Sequence, residues 1–296
     1  MNAAVEGVEC VNSVLVGTRN PNVDKLHSDK DVDLDIALAA ASDQSMSEVM
    51  NSEDPLFLLY TSGSTGKPKG LVHSQAGYLL YAALTTSEVF GCVPGDVFGC
   101  VADIGWITGH TYVVYGPLAN GATSVLFESI PTYPDPGRYW ATVEKHKFTQ
   151  FYGAPTAYRT LLRHGNEHVT KYDTSSLKKI GTVGEPINTE AWWWLHDIVG
   201  GGNTQVVDTW WQTETGGNMI TPVPCDEGAQ FKPGSAQRPF YGVLPGLFDA
   251  DGTEVKGNEV DGALCIKLPW PGIARTVYGN HQRFRETYLN VSTGLA

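Results

Sequence analysis

Six short apolar runs divide the chain, at residues 56–60, 97–102, 122–127, 148–152, 179–183 and 204–207. Each is bounded and rich in aromatic or branched residues, the pattern of a buried strand. Segments of helical spacing lie between most of them. Val72, Ala76, Leu79, Ala83 and Phe90 recur across residues 72–90. Residues 155–164 start at Pro155, a good first helical residue, and stop before Gly165. Residues 188–199 start at Asn188, an N-cap type, and stop before Gly200. Strand alternating with helix predicts an α/β fold, with a largely parallel sheet covered by helices. Upstream, Val11, Val14, Leu15 and Val16 predict a first strand. The polar stretch 20–54 reads as a surface connection with a short helix near 34–41, and Asp29, Asp31, Asp33 and Asp35 as a solvated acidic face. After about residue 225 the texture changes. Asp251-Gly252 and Asp261-Gly262 mark turns around short strands such as 263–268, and a helix returns at Asn280–Leu289. The pattern thus predicts an α/β domain over 1–225 and a small antiparallel β-subdomain over 226–296.

In an open parallel sheet, ligands gather beyond the carboxyl ends of the strands. The unusual loops all follow apolar runs, which puts them on one edge. Thr61-Ser62-Gly63-Ser64-Thr65-Gly66-Lys67-Pro68-Lys69-Gly70 follows the first run and holds four hydroxyls, three glycines, two lysines and no acid. Glycines let successive backbone N–H groups face one point, and hydroxyls and lysines add donors and charge, so the loop suits a polyphosphate. It is not a Walker A loop, which needs four residues between its glycines and Ser or Thr after the lysine. Asp103–His110 follows the second run, Tyr152–Thr156 the fourth and Gly184-Glu185-Pro186 the fifth. Asp208-Thr209-Trp210-Trp211-Gln212-Thr213-Glu214-Thr215-Gly216-Gly217 follows the last. Asp208 and Gln212 offer polar edges to a base or ribose, and Glu214 near a phosphate loop is a natural Mg²⁺ ligand. Trp192-Trp193-Trp194 lies on a helix without a polar cluster and reads as core. His110 is a candidate for proton transfer, although a lone His between Gly109 and Thr111 is more often structural.

Composition narrows the partners. The chain has 296 residues and a net charge of −12, so nucleic acid and acidic membrane surfaces are disfavoured as partners. An anionic ligand must be drawn by local loops against the overall field. Its five cysteines, Cys10, Cys92, Cys100, Cys225 and Cys265, are scattered without a C-x-x-C. That argues against a zinc site and a disulfide framework, and fits a reducing, cytoplasmic setting. No apolar run approaches the ~20 residues of a membrane span, and the N-terminus lacks a signal-peptide pattern.

The phosphate loop resembles the signature of the adenylate-forming enzymes, which include acyl-CoA synthetases, firefly luciferase and peptide-synthetase adenylation domains. Further strings narrow the resemblance to their acetyl-CoA synthetase (acetate–CoA ligase) branch. These are Gly-Trp-Ile-Thr-Gly-His at 105–110, Tyr-Gly-Pro-Leu at 115–118, Val-Gly-Glu-Pro-Ile-Asn at 183–188, Asp-Thr-Trp-Trp-Gln-Thr-Glu-Thr-Gly-Gly at 208–217 and Pro-Gly-Ser-Ala at 233–236. The resemblance implies ATP, acetate and coenzyme A as substrates and Mg²⁺ as the metal. It implies catalytic roles for Thr61, Lys67 and Glu214, with phosphate binding by Thr61, Ser62, Gly63, Ser64, Thr65, Gly66 and Lys67. Gly184, Glu185 and Pro186 would line the adenine, and Asp208, Thr209, Trp210, Trp211, Gln212 and Thr213 the nucleotide. Glu214 would hold Mg²⁺. Ile107, Thr108, Val183 and Trp211 would form the acetate pocket, and Thr132 stands at a coenzyme A contact where many members carry Asn. The family also has an N-terminal portion, a ribose-binding Asp and a mobile domain with an adenylation lysine, none of which this sequence contains. It is therefore expected to be a central fragment unable to complete the reaction alone. The alternatives are a non-catalytic nucleotide-binding or interaction protein from a truncated copy and, among enzymes, a propionate–CoA ligase.

Overall fold

The acidic residues near position 33 do more than face solvent. A computed structural model describes residues 2–20, 26–62, 67–223 and 231–289, and residues 1–49 form a unit of their own. That unit holds a helical turn α1 (Asn2–Val5), strand β1 (Val14–Val16) paired in parallel with β2 (Asp31–Asp33), and helix α2 (Leu34–Ala40). Asp33 caps α2, accepting from the Asp35 and Ile36 amides at 2.9 and 3.0 Å. Asp31 accepts from the His27 amide at 2.8 Å and the Ser28 hydroxyl at 2.8 Å. Two of the four clustered acids are thus turn and cap acceptors.

The second unit covers residues 50–296. Its first strand, β3 (Pro55–Thr61), runs antiparallel to β4 (Lys69–Ser74). The sequence reading began a helix at Val72, but the structure keeps a strand to Ser74 and starts helix α3 at Gln75–Phe90. Leu71 and Val72 are buried between two neighbouring strands, and ladder pairing on both sides outweighs helical spacing.

The other five apolar runs make one parallel sheet, as the strand–helix alternation predicts. Its strands are β5 (Val97–Cys100), β6 (Thr123–Leu126), β7 (Gln150–Gly153), β8 (Lys179–Thr182) and β9 (Gln205–Asp208), in the order β6-β5-β7-β8-β9. Between β5 and β6 run α4 (Ile107–Gly109), a wider helical turn over His110–Tyr115 and α5 (Gly116–Ala119). Helices α6 (Arg138–His146), α7 (Pro155–Arg163), α8 (Glu167–Thr170) and α9 (Thr189–Trp194) supply the later crossovers. Adjacent strand residues feed opposite faces. Phe151, Ile180 and Val206 join a core with Trp140, Tyr158 and Trp192. Tyr152 and Val207 join another with Phe90, Phe98 and Tyr112. This is the signature of a parallel sheet covered on both sides. At Gly99 a side chain would meet the Phe148 ring, because a Cβ there would lie 2.2 Å from it.

Beyond the sheet, β10 (Pro245–Phe248) pairs antiparallel with β11 (Glu254–Val255) and β12 (Ala263–Ile266), as the turn signals predict. The chain then returns. β13 (Thr276–Val277) joins the free edge of β4, and α10 (His281–Tyr288) follows. Among the described residues, no helix is long and apolar enough to cross a membrane.

Candidate active site

Loops from three neighbouring strands meet over the carboxyl edge of the parallel sheet. A cavity of about 560 Å³ is lined there by Gly184, Glu185 and Pro186 after β8 and by Asp208, Thr209, Trp210, Trp211 and Gln212 at the end of β9. Gly184 has φ +94°, a left-handed conformation that glycine adopts without strain, which lets the chain leave the strand sharply. Glu185 binds the Thr156 hydroxyl and, at 2.8 Å, the Arg159 guanidinium, tying the loop after β8 to the start of α7. The Thr156 bond first, and Arg159 with it, hold the Glu185 carboxyl below its usual range.

Asp208 ties the next pair of loops. It accepts the Thr182 hydroxyl at 2.6 Å and the Gly234 amide at 3.1 Å. Burial nevertheless pushes its carboxyl up to about 6, because these two bonds only partly offset desolvation. The neighbouring Thr209 amide bonds the Thr182 carbonyl at 3.1 Å, so β8 and β9 stay paired up to the cavity wall.

Trp211 is partly buried and bridges two apolar clusters. One contains Ile107 with Tyr78 and Ala82, and the other contains Val183 with Tyr112 and Tyr152. Its ring meets Tyr112 edge-on at 5.2 Å. Ile107, Thr108 and Val183 are each under 10% exposed, at 6%, 9% and 8%. Three of the four residues read as an acetate pocket, Ile107, Val183 and Trp211, therefore meet in adjoining core around one indole. Thr132 lies in the turn after β6 and lines neither this cavity nor the one beside Glu214. His110 holds the Trp106 carbonyl at 3.0 Å through Nδ1, and its ring leans on Phe57 at 4.9 Å, a structural placement.

The phosphate loop runs from the end of β3 to the start of β4. Gly63, Ser64, Thr65 and Gly66 lie outside the described residues. At the loop's entrance, the Thr61 hydroxyl is buried and has no hydrogen-bond partner among the described residues. Ser62 and Lys67 are exposed. At its exit, Lys69 sits 3.6 Å from Glu214, and Tyr288 of α10 bonds both of them. Burial, and then Glu214, push the Tyr288 phenol up, so it stays protonated. Arg283 of the same helix donates to the Lys67 carbonyl at 3.1 Å. The fold thus brings the flank of the phosphate loop onto Glu214, about 150 residues away in sequence. Among the described residues, no group of three or more His, Cys, Asp or Glu gathers to hold a metal. A lone carboxylate beside a phosphate loop suits an ion that draws its other ligands from phosphate and water.

Thr213 lines neither cavity. Its carbonyl instead accepts from His73 Nε2 at 2.8 Å, near the end of β4. Burial pushes His73 down to about 4, so the ring is neutral and Nε2 carries the proton that the carbonyl accepts. Sequence reasoning missed His73, Thr182, Arg283 and Tyr288, and placed Tyr152 in a site loop without giving it a role. His73 fell inside the stretch read as helix and Thr182 in an apolar run. Arg283 and Tyr288 lie far down the chain, where no local signal marks them.

The AMP-binding enzyme family model matches residues 2–278. The chain belongs to that family. This AMP-binding enzyme chain is 59% identical over 295 residues to the acetyl-coenzyme A synthetase 2-like, mitochondrial protein of Homo sapiens, covering 99% of this chain and 42% of the relative. It is 55% identical over 295 residues to the acetyl-coenzyme A synthetase of Coprinopsis cinerea, covering 99% and 44%. With the enzyme of that name from Rhodobacter capsulatus it shares 56% over 267 residues, covering 90% and 40%. The chain thus spans about two-fifths of the length of these curated relatives.

Proposed function

We propose that this chain supplies the nucleotide- and acyl-binding part of an acetate–CoA ligase, which converts ATP, acetate and coenzyme A to acetyl-CoA, AMP and diphosphate through acetyl-AMP. The observation that carries the reading is the indole of Trp211. It stands at the wall of a cavity with nucleotide-type polar edges, between the Ile107 and Val183 clusters. The names of the relatives supply the acyl group and coenzyme A. Free thiols at Cys92, Cys100 and Cys265 support a reducing compartment, the cytoplasm by the sequence reading and the mitochondrion by the name of the Homo sapiens relative. The α/β part over 1–225 would hold the nucleotide and the β-rich part over 226–296 would flank it.

The chemistry asks little of acid–base groups. Acetate is a poor acyl donor because oxide is a poor leaving group. Attack of its carboxylate oxygen on the α-phosphorus of ATP breaks the bond to diphosphate and makes AMP the leaving group for the thiol. Positioning and charge neutralisation carry such a step. Thr61, Ser62, Lys67 and the intervening loop would hold the phosphates, Gly184–Pro186 and Asp208–Thr213 the nucleoside, and Glu214 a Mg²⁺ ion. The ion would supply positive charge to the phosphate oxygens. Thr132 would belong to the coenzyme A path.

A chimera tests the whole reading. With residues 1–296 in place of the matching segment of the Coprinopsis cinerea enzyme, acetate-dependent ATP–pyrophosphate exchange is expected, and Glu214→Ala should abolish it. A folded chimera without carboxylate-dependent exchange sinks the proposal. On the 296-residue chain itself, Lys67→Ala should weaken ATP binding about tenfold, the value of one hydrogen bond to a charged group. Adenosine, which lacks phosphates, should bind unchanged by calorimetry. Equal weakening of both ligands would count against a phosphate role.

A further inference from the structure

The hydroxyl of Tyr152 is fully buried and has a single consistent set of partners. Tyr152 lies in β7, is 0% exposed, and lines neither the nucleotide cavity nor the one beside Glu214. Its oxygen is 3.2 Å from the Trp211 indole nitrogen and 2.6 Å from the Thr209 hydroxyl. The Thr209 hydroxyl is in turn 2.7 Å from the Thr182 carbonyl. An indole N–H only donates and a carbonyl only accepts. The assignment that satisfies every group therefore runs one way. Trp211 N–H donates to Tyr152, Tyr152 O–H donates to Thr209, and Thr209 O–H donates to the Thr182 carbonyl. Burial pushes the phenol up, so its proton stays in place across the working pH range.

The chain of bonds ends on the backbone at the carboxyl end of β8 and begins on the indole at the cavity wall. Packing fixes the Tyr152 ring. Phe90 and Tyr112 meet it edge-on at 4.8 and 5.3 Å. Tyr112 also meets Trp211 edge-on, at 5.2 Å. The indole therefore has an aromatic edge to lean on and one hydrogen bond that sets its rotation about the side-chain torsions. Packing alone leaves a planar ring in contact with Tyr112 free to tilt, whereas the bond to Tyr152 selects one tilt.

We propose that Tyr152 is a positioning residue that sets acyl-chain selectivity by holding the Trp211 indole across the acyl pocket. The proposal rests on the reading of Trp211 as the pocket wall. Loss of the phenol oxygen frees the indole to rotate toward the sheet and opens room for longer acids, with no change in any residue that touches the substrate.

The test uses the 296-residue chain, two probes and a spectroscopic label. The probes are stable acyl-adenylate mimics, acetylsulfamoyl- and butyrylsulfamoyl-adenosine, with affinities measured by calorimetry. Tyr152→Phe keeps the ring and removes the oxygen alone. The acetyl-over-butyryl preference is expected to fall about fivefold, the value of one buried hydrogen bond. In a Trp211→Phe background, which has no indole N–H, the same change should have no further effect on that preference. With 5-fluorotryptophan labelling, the resonance that Trp211→Phe removes should shift or broaden in Tyr152→Phe, while those of the other tryptophans stay fixed. Thr209→Val cuts the chain of bonds one link further on and should move the preference and the resonance the same way by less. An unmoved Trp211 resonance, an unchanged preference, or an equal effect in the Trp211→Phe background overturns the role of Tyr152. If Trp211→Gly itself leaves the preference unchanged, the pocket reading fails instead, and the two failures are distinguished.

Discussion

Trp211→Gly is expected to convert a site that prefers a two-carbon acyl group into one that prefers longer ones. The indole is the largest side chain available and packs against the two clusters that contain Ile107 and Val183. Ile107 and Val183 are both β-branched and stiff at χ1, so they do not swing in to refill the space. The glycine leaves an apolar slot. Each methylene of a longer acid that enters it gains about 0.8 kcal/mol, roughly fourfold per carbon. A butyryl adenylate mimic should therefore gain on its acetyl counterpart by about sixteenfold for its two extra methylenes. Relief of the clash with the ring adds to that gain. The acetyl mimic should itself bind less well, because it no longer fills or dries the pocket. It should not be rejected outright, since an over-large pocket discriminates weakly against a small substrate. Affinities of the acetyl, propionyl, butyryl and valeryl mimics, compared within each variant, give the ratio free of any general loss of stability. If the preference for acetyl survives, Trp211 is core packing and the acyl pocket lies elsewhere.

Asp208 should leave a mark on stability against pH. Burial raises its folded-state carboxyl from 3.8 to about 6. For an acid, a raised folded value means that the native state holds the proton more tightly than the unfolded chain. Stability from this group is therefore greatest below about pH 4, falls as pH rises from 4 through 6, and is flat above 7. About two pH units correspond to about 3 kcal/mol at 1.36 kcal/mol per unit. In Asp208→Asn the side-chain oxygen can still accept from the Gly234 amide, and the new NH₂ can donate to the Thr182 hydroxyl. The variant carries no charge to bury. Relative to wild type it should gain up to about 3 kcal/mol between pH 4 and pH 7.5 in the absence of nucleotide. Urea unfolding of both chains across that range checks this, and taking the difference cancels the other titrating groups. A difference that does not change with pH would assign the burial cost to some other group.

The parallel sheet was legible because its signal is local and redundant. Each strand from 97 to 207 is a bounded apolar run, and Pro155, Gly165 and Gly200 punctuate the helices between them. The nucleotide-type loops were legible for the same reason, since each unusual string directly follows its strand. What stayed hidden depended on partners. Residues 72–74 begin the stretch with helical spacing, yet they belong to a strand because β3 and β13 lie on either side of it. The run at 56–60 looks like the other five but pairs antiparallel in a different sheet. An apolar run marks burial and does not name the neighbour. Among the acids, Asp31 and Asp33 were read as solvated face and proved to be turn and cap acceptors. A charge run specifies polarity and leaves the acceptor's partner to the backbone nearby.

The sequence by itself determined the α/β class, the α/β-to-β-rich change of texture, and the residue types available to a nucleotide site, because those follow from periodicity, turn residues and side-chain chemistry. Tertiary structure decided which of them act together. It set Glu214 against Lys69 and Tyr288, and aimed His73 at the Thr213 carbonyl. It ran one chain of hydrogen bonds from Trp211 through Tyr152 and Thr209 to the carboxyl end of β8. The hydrogen bonds among these groups join residues between 27 and 219 positions apart. Such pairings depend on which strands lie side by side, and strand order is fixed by packing the whole core rather than by any stretch of residues within it.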